Sequence, residues 1–275
     1  LQNTEIIIAV VYFVIMNDKM LKRIIRKLKK YLGLIQVEQD LSVSGEVVLF
    51  DRNFSFHHKG SYLDTYSEIF NKQIYKFNPR SEKPIIIDCG ANMGLSLLYF
   101  SLNYPNAKIF AFEPDNTVLP FLEKNIKSFG MKNVQLFKKA VWNNNEILKL
   151  YTDGGMGGSV VNNYNENQVP IEIEAIRLLD FIGDLHVDLL KMDIEGSEYG
   201  VIKDCESKLN QIDNLFVEYH SFIDREQKLD EILLLLKNNG FRYHLSQSYS
   251  RNSPFIDKDL VCESFDMAIN IFAYK

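Results

Sequence analysis

Two groups of polar residues in this chain have the types and spacing to do chemistry. The first is Asp88-Cys89-Gly90-Ala91-Asn92-Met93-Gly94, with Glu113 23 positions beyond Gly90. Glycines so placed let the backbone turn tightly, let a ligand approach it, and let a helix pack close to a strand. A carboxylate ending the next strand can accept two hydrogen bonds from a ribose diol. The second group is Lys191-Met192-Asp193-Ile194-Glu195-Gly196-Ser197-Glu198, with Glu218 and His220 further on. Carboxylates and an imidazole at one sheet edge can take a proton from a hydroxyl.

Two cofactors suit a glycine turn followed by an acid. A dinucleotide favours G-x-G-x-x-G with its pyrophosphate on a helix N-terminus. Here the spacing is G-x-x-x-G, and Asp88 would repel a pyrophosphate. S-adenosylmethionine has no phosphate, and its ammonium and sulfonium welcome an acid. Charge therefore favours S-adenosylmethionine. The competing reading of the turn is purely structural, with Asn92 as a helix cap.

In the second group, Asp193 and His220 are the candidate bases, with Glu195 behind them. Methyl transfer from such a cofactor needs alignment, worth roughly 7–11 kcal/mol, and, for an acceptor that must lose a proton, a base worth roughly 10²–10⁴ in rate. Other roles stay open. His220 also reads as a structural histidine, and Asp193 as a contact to the cofactor's amino group. Glu195 and Glu198 also read as acids at a helix N-terminus. A divalent metal on Asp193, Glu195 and His220 is a further alternative. The spacing does not demand it, and no metal site is assigned. Lys191 reads as a partner for the local acids.

These residues need a frame. Pro84–Asp88 is a continuous apolar run, as expected of a buried parallel strand, and it enters the glycine turn. Leu95–Leu102 reads as a helix, Ala107–Phe112 as a strand, Val118–Phe129 as a helix closed by Gly130, and Val134–Val141 as a third strand. Ile147–Tyr151 and Ile171–Ile176 alternate like antiparallel strands around the glycine-rich loop Asp153–Ser159, which reads as a lid or a long hairpin turn. Val187–Met192 is the next strand, Glu198–Cys205 a helix and Leu215–Tyr219 a fifth parallel strand. Arg225–Asn239 is a helix, and Phe241–Leu245 and Met267–Tyr274 are the last strands. Alternating strands and helices predict a doubly wound α/β sheet with its ligand at the strand C-termini.

The first 80 residues differ. Ile6–Met16 is apolar but too short for a spanning helix, which needs roughly 20 residues. Residues 21–35 place apolar side chains at helical spacing opposite six Lys and Arg, a basic amphipathic helix. It reads either as a peripheral membrane contact or as a docked helix with a solvated face. Short strands or loops span Val43–Tyr62, and a helix is expected over Asp64–Tyr75. A hydrophobic content of 46% argues against disorder. A net charge of -5 argues against nucleic acid as a partner. Three separated cysteines without a CxxC pair support neither a zinc site nor a disulfide framework. The simplest localisation is cytoplasmic.

DCGANMG, FEP, KKAVWNN, LLKMDIEGSE and VEYH occur here in that order. Together they resemble the FkbM family of S-adenosylmethionine-dependent methyltransferases over about Pro84–Tyr274. The resemblance implies a class I methyltransferase (Rossmann-like) fold, a seven-stranded sheet with its last strand antiparallel, after an N-terminal extension of helix and short strands. The division expected is residues 1–80 as extension and 81–275 as the S-adenosylmethionine-binding domain. The implied activity is O-methylation, often of a carbohydrate, a polysaccharide or a secondary-product precursor, so the expected partner is a small-molecule or glycan acceptor. Asp88, Gly90, Asn92 and Gly94 would line the methionine part of the cofactor and Glu113 its ribose. Ala140, Val141 and Trp142 would sit beside the adenine, and Asp193 would face the methyl group. The competing readings are an NAD(P)-dependent oxidoreductase and a non-catalytic methyltransferase-like module.

Overall fold

The computed structural model describes residues 40–152, 158–159, 170–223, 225–250, 253–256 and 265–275. The apolar run 6–16, the basic segment 21–35 and most of the glycine-rich loop lie outside the described residues. The chain divides into Leu1–Leu41 and a second compact unit, Ser42–Lys275, which holds every element below.

The second unit opens with a hairpin, β1 (Gly45–Leu49) and β2 (Arg52–Phe56). Its two-residue turn places Phe50 and Asp51 at φ 49° and 61°, as the twist of a tight hairpin requires. Helix α1 (Lys59–Tyr66) follows and runs into a π-helical turn, Ser67–Asn71. The helix thus starts earlier than the Asp64 expected. The His58 side chain accepts from the Ser61 amide and caps it. It also ends before Tyr75, because Gln73 takes φ 53° and turns the chain. Tyr75 is then free to pack its ring against Phe100 and Phe216.

The alternating region supplies β3 (Ile85–Cys89), α2 (Leu95–Asn103), β4 (Lys108–Phe112), α3 (Leu119–Phe129) and β5 (Val134–Phe137). Then come β6 (Ala140–Trp142), β7 (Ile147–Thr152), β8 (Gly158–Ser159), β9 (Ile171–Arg177), α4 (Leu178–Ile182) and β10 (Val187–Met192). The chain continues through α5 (Glu198–Asp204), β11 (Ile212–Phe222), α6 (Leu229–Asn238), β12 (Arg242–Ser250) and β13 (Phe265–Tyr274).

The main sheet has seven strands in the order β12-β13-β11-β10-β3-β4-β5, with β13 antiparallel to both neighbours. This is the expected class I methyltransferase topology. Every residue of β10 is buried, Asp188 and Lys191 included, so a strand whose sequence reads as alternating is covered on both faces. Alternate residues face two cores. Ile87 and Leu190 belong to one, with α4, α5 and α6. Ile86 and Leu189 belong to the other, which also holds Phe54, Tyr62 and Tyr75 from the N-terminal elements. Asn125 joins these elements to the glycine turn. Its Nδ2 donates to the carbonyls of Ser55 (2.7 Å) and Met93 (2.8 Å), and its Oδ1 accepts from the Ser55 amide.

The strand expected over Val134–Val141 is two. β5 pairs with β4, whereas β6 leaves the sheet and pairs with β9 in a second sheet, β6-β9-β7-β8. Lys138 and Lys139 sit at the break. They form ion pairs in different directions, to Glu123 on α3 and Glu174 on β9. The pairing of β7 with β9 is antiparallel, as their alternation suggested.

The chain steps outward from β3 to β4 and β5, then returns to place β10 on the other side of β3. The C-terminal ends of β3 and β10 are therefore the topological switch point, where an open α/β sheet leaves a crevice. Both chemistry-bearing groups end there.

Candidate active site

Between the strand ends lies a cleft of about 720 Å³, its open mouth included. Its walls include Gly90, Asn92, Glu113, Ala140, Val141, Asp193 and Glu195 from the sequence-derived set. Phe112, Pro114, Asp115, Val118, Lys139, Leu150 and Ile194 complete it. Sequence reasoning did not single these out. Phe112, Pro114, Lys139 and Ile194 could have been found, because each adjoins an assigned residue. Leu150 carried no signal, since it arrives from the second sheet.

Asp88, Gly94, Trp142 and His220 are not among those walls, and each has a physical reason. Asp88 has no exposed surface. Ser96 Oγ donates to its Oδ2 (2.5 Å), and Lys191 Nζ lies 3.1 Å from its Oδ1. Asp88 thus braces the turn from beneath instead of lining a ligand. Gly94 serves packing: a Cβ there would stand 2.7 Å from Leu122. Trp142 packs against the core of the second sheet.

Gly90 has φ 90°, and an added Cβ would come within 1.9 Å of the Asp193 carbonyl oxygen. Only glycine fits where the ends of β3 and β10 meet. Lys191, itself buried, donates to the Gly90 carbonyl (2.7 Å) and reaches Asp193 Oδ2 at 3.5 Å. One cation thus ties both motifs together. Burial works against its charge, but Asp88 and Asp193 more than offset that and hold its pKa well above the ordinary lysine value.

Glu113 is buried and accepts from two backbone amides, Asn92 (2.8 Å) and Asp115 (2.9 Å). Burial raises its pKa to about 7, although both amides pull the other way. A carboxylate has about four acceptor directions, so two remain for a diol. Asp115 accepts from the Thr117 amide and from Thr152 Oγ1 (2.5 Å), which binds the second sheet to the cleft.

The acids after β10 sit on a strained turn. Glu195 takes φ 56° and Gly196 φ 100°. A Cβ on Gly196 would meet the Phe222 ring at 2.3 Å. Asp193, Glu195 and His220 offer an oxygen, an oxygen and a nitrogen that all lie within 4.8 Å of one another. Here the order differs from the sequence reading. Glu195 stands at the cleft wall beside Asp193, while His220 lies behind it, with Nε2 3.5 Å from Glu195 Oε2. Burial raises the pKa of Glu195 to about 8 even though His220 draws it down. Burial also disfavours the imidazolium, but Glu195 and Glu198 outweigh it and raise the pKa of His220 well above its ordinary value.

Residues 88–243, more than half of the chain, match the Methyltransferase FkbM domain. The chain belongs to the FkbM methyltransferase family. Its enzymatic class is S-adenosylmethionine-dependent methyl transfer, and the nicotinamide oxidoreductase reading falls with that assignment. "Methyltransferase 1" of Beauveria bassiana is 26% identical over 64% of this chain and 79% of its own length. "31-O-demethyl-FK506 methyltransferase FkbM" of Streptomyces tacrolimicus is 26% identical over 64% of this chain and 80% of its own. "2-O-methyltransferase NoeI" of Sinorhizobium fredii is 28% identical over 50% of this chain and 63% of its own.

The cleft of this FkbM-family chain fits its methyl donor. Gly90 leaves room for close backbone approach, and Glu113 retains acceptor directions for a ribose. Phe112, Val118, Val141 and Leu150 offer apolar surface for a base. Asp193 and Glu195 are carboxylates where a cationic sulfonium would lie. Among the described residues, no helix is long and apolar enough to cross a membrane.

Proposed function

We propose that this chain transfers a methyl group to a hydroxyl of a small-molecule acceptor, a carbohydrate or polyol in the first instance. The observation that carries the reading is the acidic wall of Asp193 and Glu195 beside the glycine turn, backed by His220. Two relatives whose names specify O-methyl transfer support it.

When bound, S-adenosylmethionine supplies an electrophilic methyl carbon. An acceptor hydroxyl gains that methyl at its oxygen, the carbon–sulfur bond breaks, and the hydroxyl proton must go to a base. Asp193 and Glu195 reach the cleft directly and orient the hydroxyl. Glu195 shares its proton balance with His220, so the pair can receive the proton without leaving a charge isolated in a buried place. With Glu195 near 8, the unprotonated base becomes more abundant between pH 6 and 9, and turnover should rise over that range. Asp88 and Lys191 touch neither reactant. They hold Gly90 and Asp193 in register, which is how alignment is secured.

The test is transfer from isotopically labelled S-adenosylmethionine to a panel of sugars, polyols and matched amines, with and without EDTA. A methyl ether formed with equimolar S-adenosylhomocysteine is the expected product. Transfer to amines in preference to hydroxyls would overturn the reading. S-adenosylhomocysteine binding with no transfer across the panel would favour a non-catalytic module. Loss of transfer on EDTA treatment would put a divalent cation at the acidic wall.

A further inference from the structure

We infer that Glu198 is the positioning residue of the proton-accepting pair, its carboxylate holding the His220 imidazole against Glu195 and fixing the turn that carries Glu195. This rests on the hydroxyl-transfer reading for its catalytic meaning, but its geometry stands by itself.

Glu198 opens α5, where a carboxylate needs only to face solvent near the amide ends to favour the helix. It does something else. It is 1% exposed, and a buried carboxylate is costly unless it is hydrogen-bonded. Its Oε1 lies 3.2 Å from His220 Nδ1. The same oxygen accepts from the Gly196 amide at 2.9 Å and, more loosely, from the Ile194 amide at 3.4 Å. That oxygen already accepts from an amide, so toward the ring it acts as an acceptor with Nδ1 as the donor, and Nε2 is turned toward Glu195 Oε2. The three side chains form a row running inward from the cleft wall, Glu195–His220–Glu198. The ionisable groups facing the imidazole are Glu195, Glu198 and Glu218, and Asp193 completes the cluster at the cleft.

One carboxylate thus performs two tasks. Through the amides of residues 194 and 196 it stabilises a turn in which Glu195 holds a left-handed conformation, unfavourable for a side-chain-bearing residue. Through Nδ1 it sets which ring nitrogen of His220 faces the cleft. A residue that served only as a helix cap would do neither. Removing its charge while keeping an acceptor oxygen for the two amides should change the protonation of His220 and the chemical step and leave the turn that carries Glu195 in place.

The experiment compares wild type with Glu198→Gln, which keeps the size and an acceptor oxygen but removes the charge. The ring nitrogens of His220, assigned with His220→Gln, are followed by nitrogen-15 NMR against pH in the protein alone. Calorimetry gives S-adenosylhomocysteine affinity, and pH-dependent kinetics give kcat and KM. In wild type, His220 should hold both ring protons well past its ordinary midpoint of about 6.5. In the variant that midpoint should fall by about one unit or more, and kcat by about tenfold or more. KM and S-adenosylhomocysteine affinity should stay within about threefold, less than half a log unit. An unmoved His220 titration with unchanged kcat would overturn the proposal and leave Glu198 as a helix cap. Should Glu198→Gln not fold, the wild-type titration still decides, because a His220 midpoint near 6.5 also overturns it. Failure of wild type to methylate hydroxyls would instead strike the hydroxyl-transfer reading, since the NMR result depends on no acceptor.

Discussion

Replacing Gly90 with alanine separates two penalties that glycine usually hides together. At φ 90° a side chain is strained, at about 1–2 kcal/mol. The new Cβ would also stand 1.9 Å from the Asp193 carbonyl oxygen, where real contacts keep at least 3.0 Å. The ends of β3 and β10 must therefore part by about 1.1 Å, the gap between those two distances. That movement endangers two hydrogen bonds, Asp193 N–H to the Cys89 carbonyl (3.1 Å) and Lys191 Nζ to the Gly90 carbonyl (2.7 Å). Each is worth about 0.5–1.5 kcal/mol, which brings the total to about 2–5 kcal/mol. Gly130 is the control. Its φ is also left-handed, at 61°, but an added Cβ would meet nothing within 4 Å. Gly130→Ala should cost only the strain, about 1–2 kcal/mol. At about 2–4 °C per kcal/mol, the melting temperature should fall about 10 °C for Gly90→Ala and about 4 °C for Gly130→Ala. Calorimetry should show S-adenosylhomocysteine affinity reduced at least about tenfold, or about 1.4 kcal/mol, in the first variant only. Equal melting losses, or wild-type affinity in Gly90→Ala, would refute the close-approach argument.

Asp193→Asn should lower kcat by about 10²–10⁴ with the fold retained; steady-state kinetics showing near-normal turnover would remove Asp193 from the chemistry. Glu113→Ala should weaken S-adenosylhomocysteine binding by about ten- to a hundredfold, because hydrogen bonds to a charged group are worth about 1.5–3 kcal/mol, with kcat at saturating donor little changed. Since Glu113 titrates at about 7, wild type at pH 6 should release a proton on binding, seen as a buffer-dependent calorimetric heat that Glu113→Ala lacks. Stability should fall as pH rises from 6 to 9. Glu113 and Glu218 at about 7 and Glu195 at about 8 all lie above the unfolded carboxylate value. Such groups stabilise fully below about 4.5 and lose that contribution as pH climbs through their folded values. The raised pKa of His220 acts with the same sign. A melting temperature that holds or rises between pH 6 and 9 would show that these groups are not shifted upward.

Much of this was legible before any coordinates. Val187–Met192 was read to the residue from its alternation, and Ile85–Cys89 to within one from its apolar run, because a strand buried on both faces needs such a run and ends where polar residues resume. The glycine spacing and the acid after β4 pointed to the cofactor, because close backbone approach and a ribose acceptor demand those residue types at strand ends, and the ordered motifs supplied the resemblance to the methyltransferase family. What could not be read was which polar groups face each other. Asp88 looked like a ligand contact until register set it opposite Lys191. Glu195 looked secondary to His220 until the left-handed turn brought it to the cleft and left the imidazole behind. Glu198 looked like a helix-end acid until burial and His220 gave it another task. Residue type and period report whether a position is buried and on which side, since both are local properties of the chain. Pairing across strands depends on register between segments about a hundred residues apart, and only the folded sheet decides that.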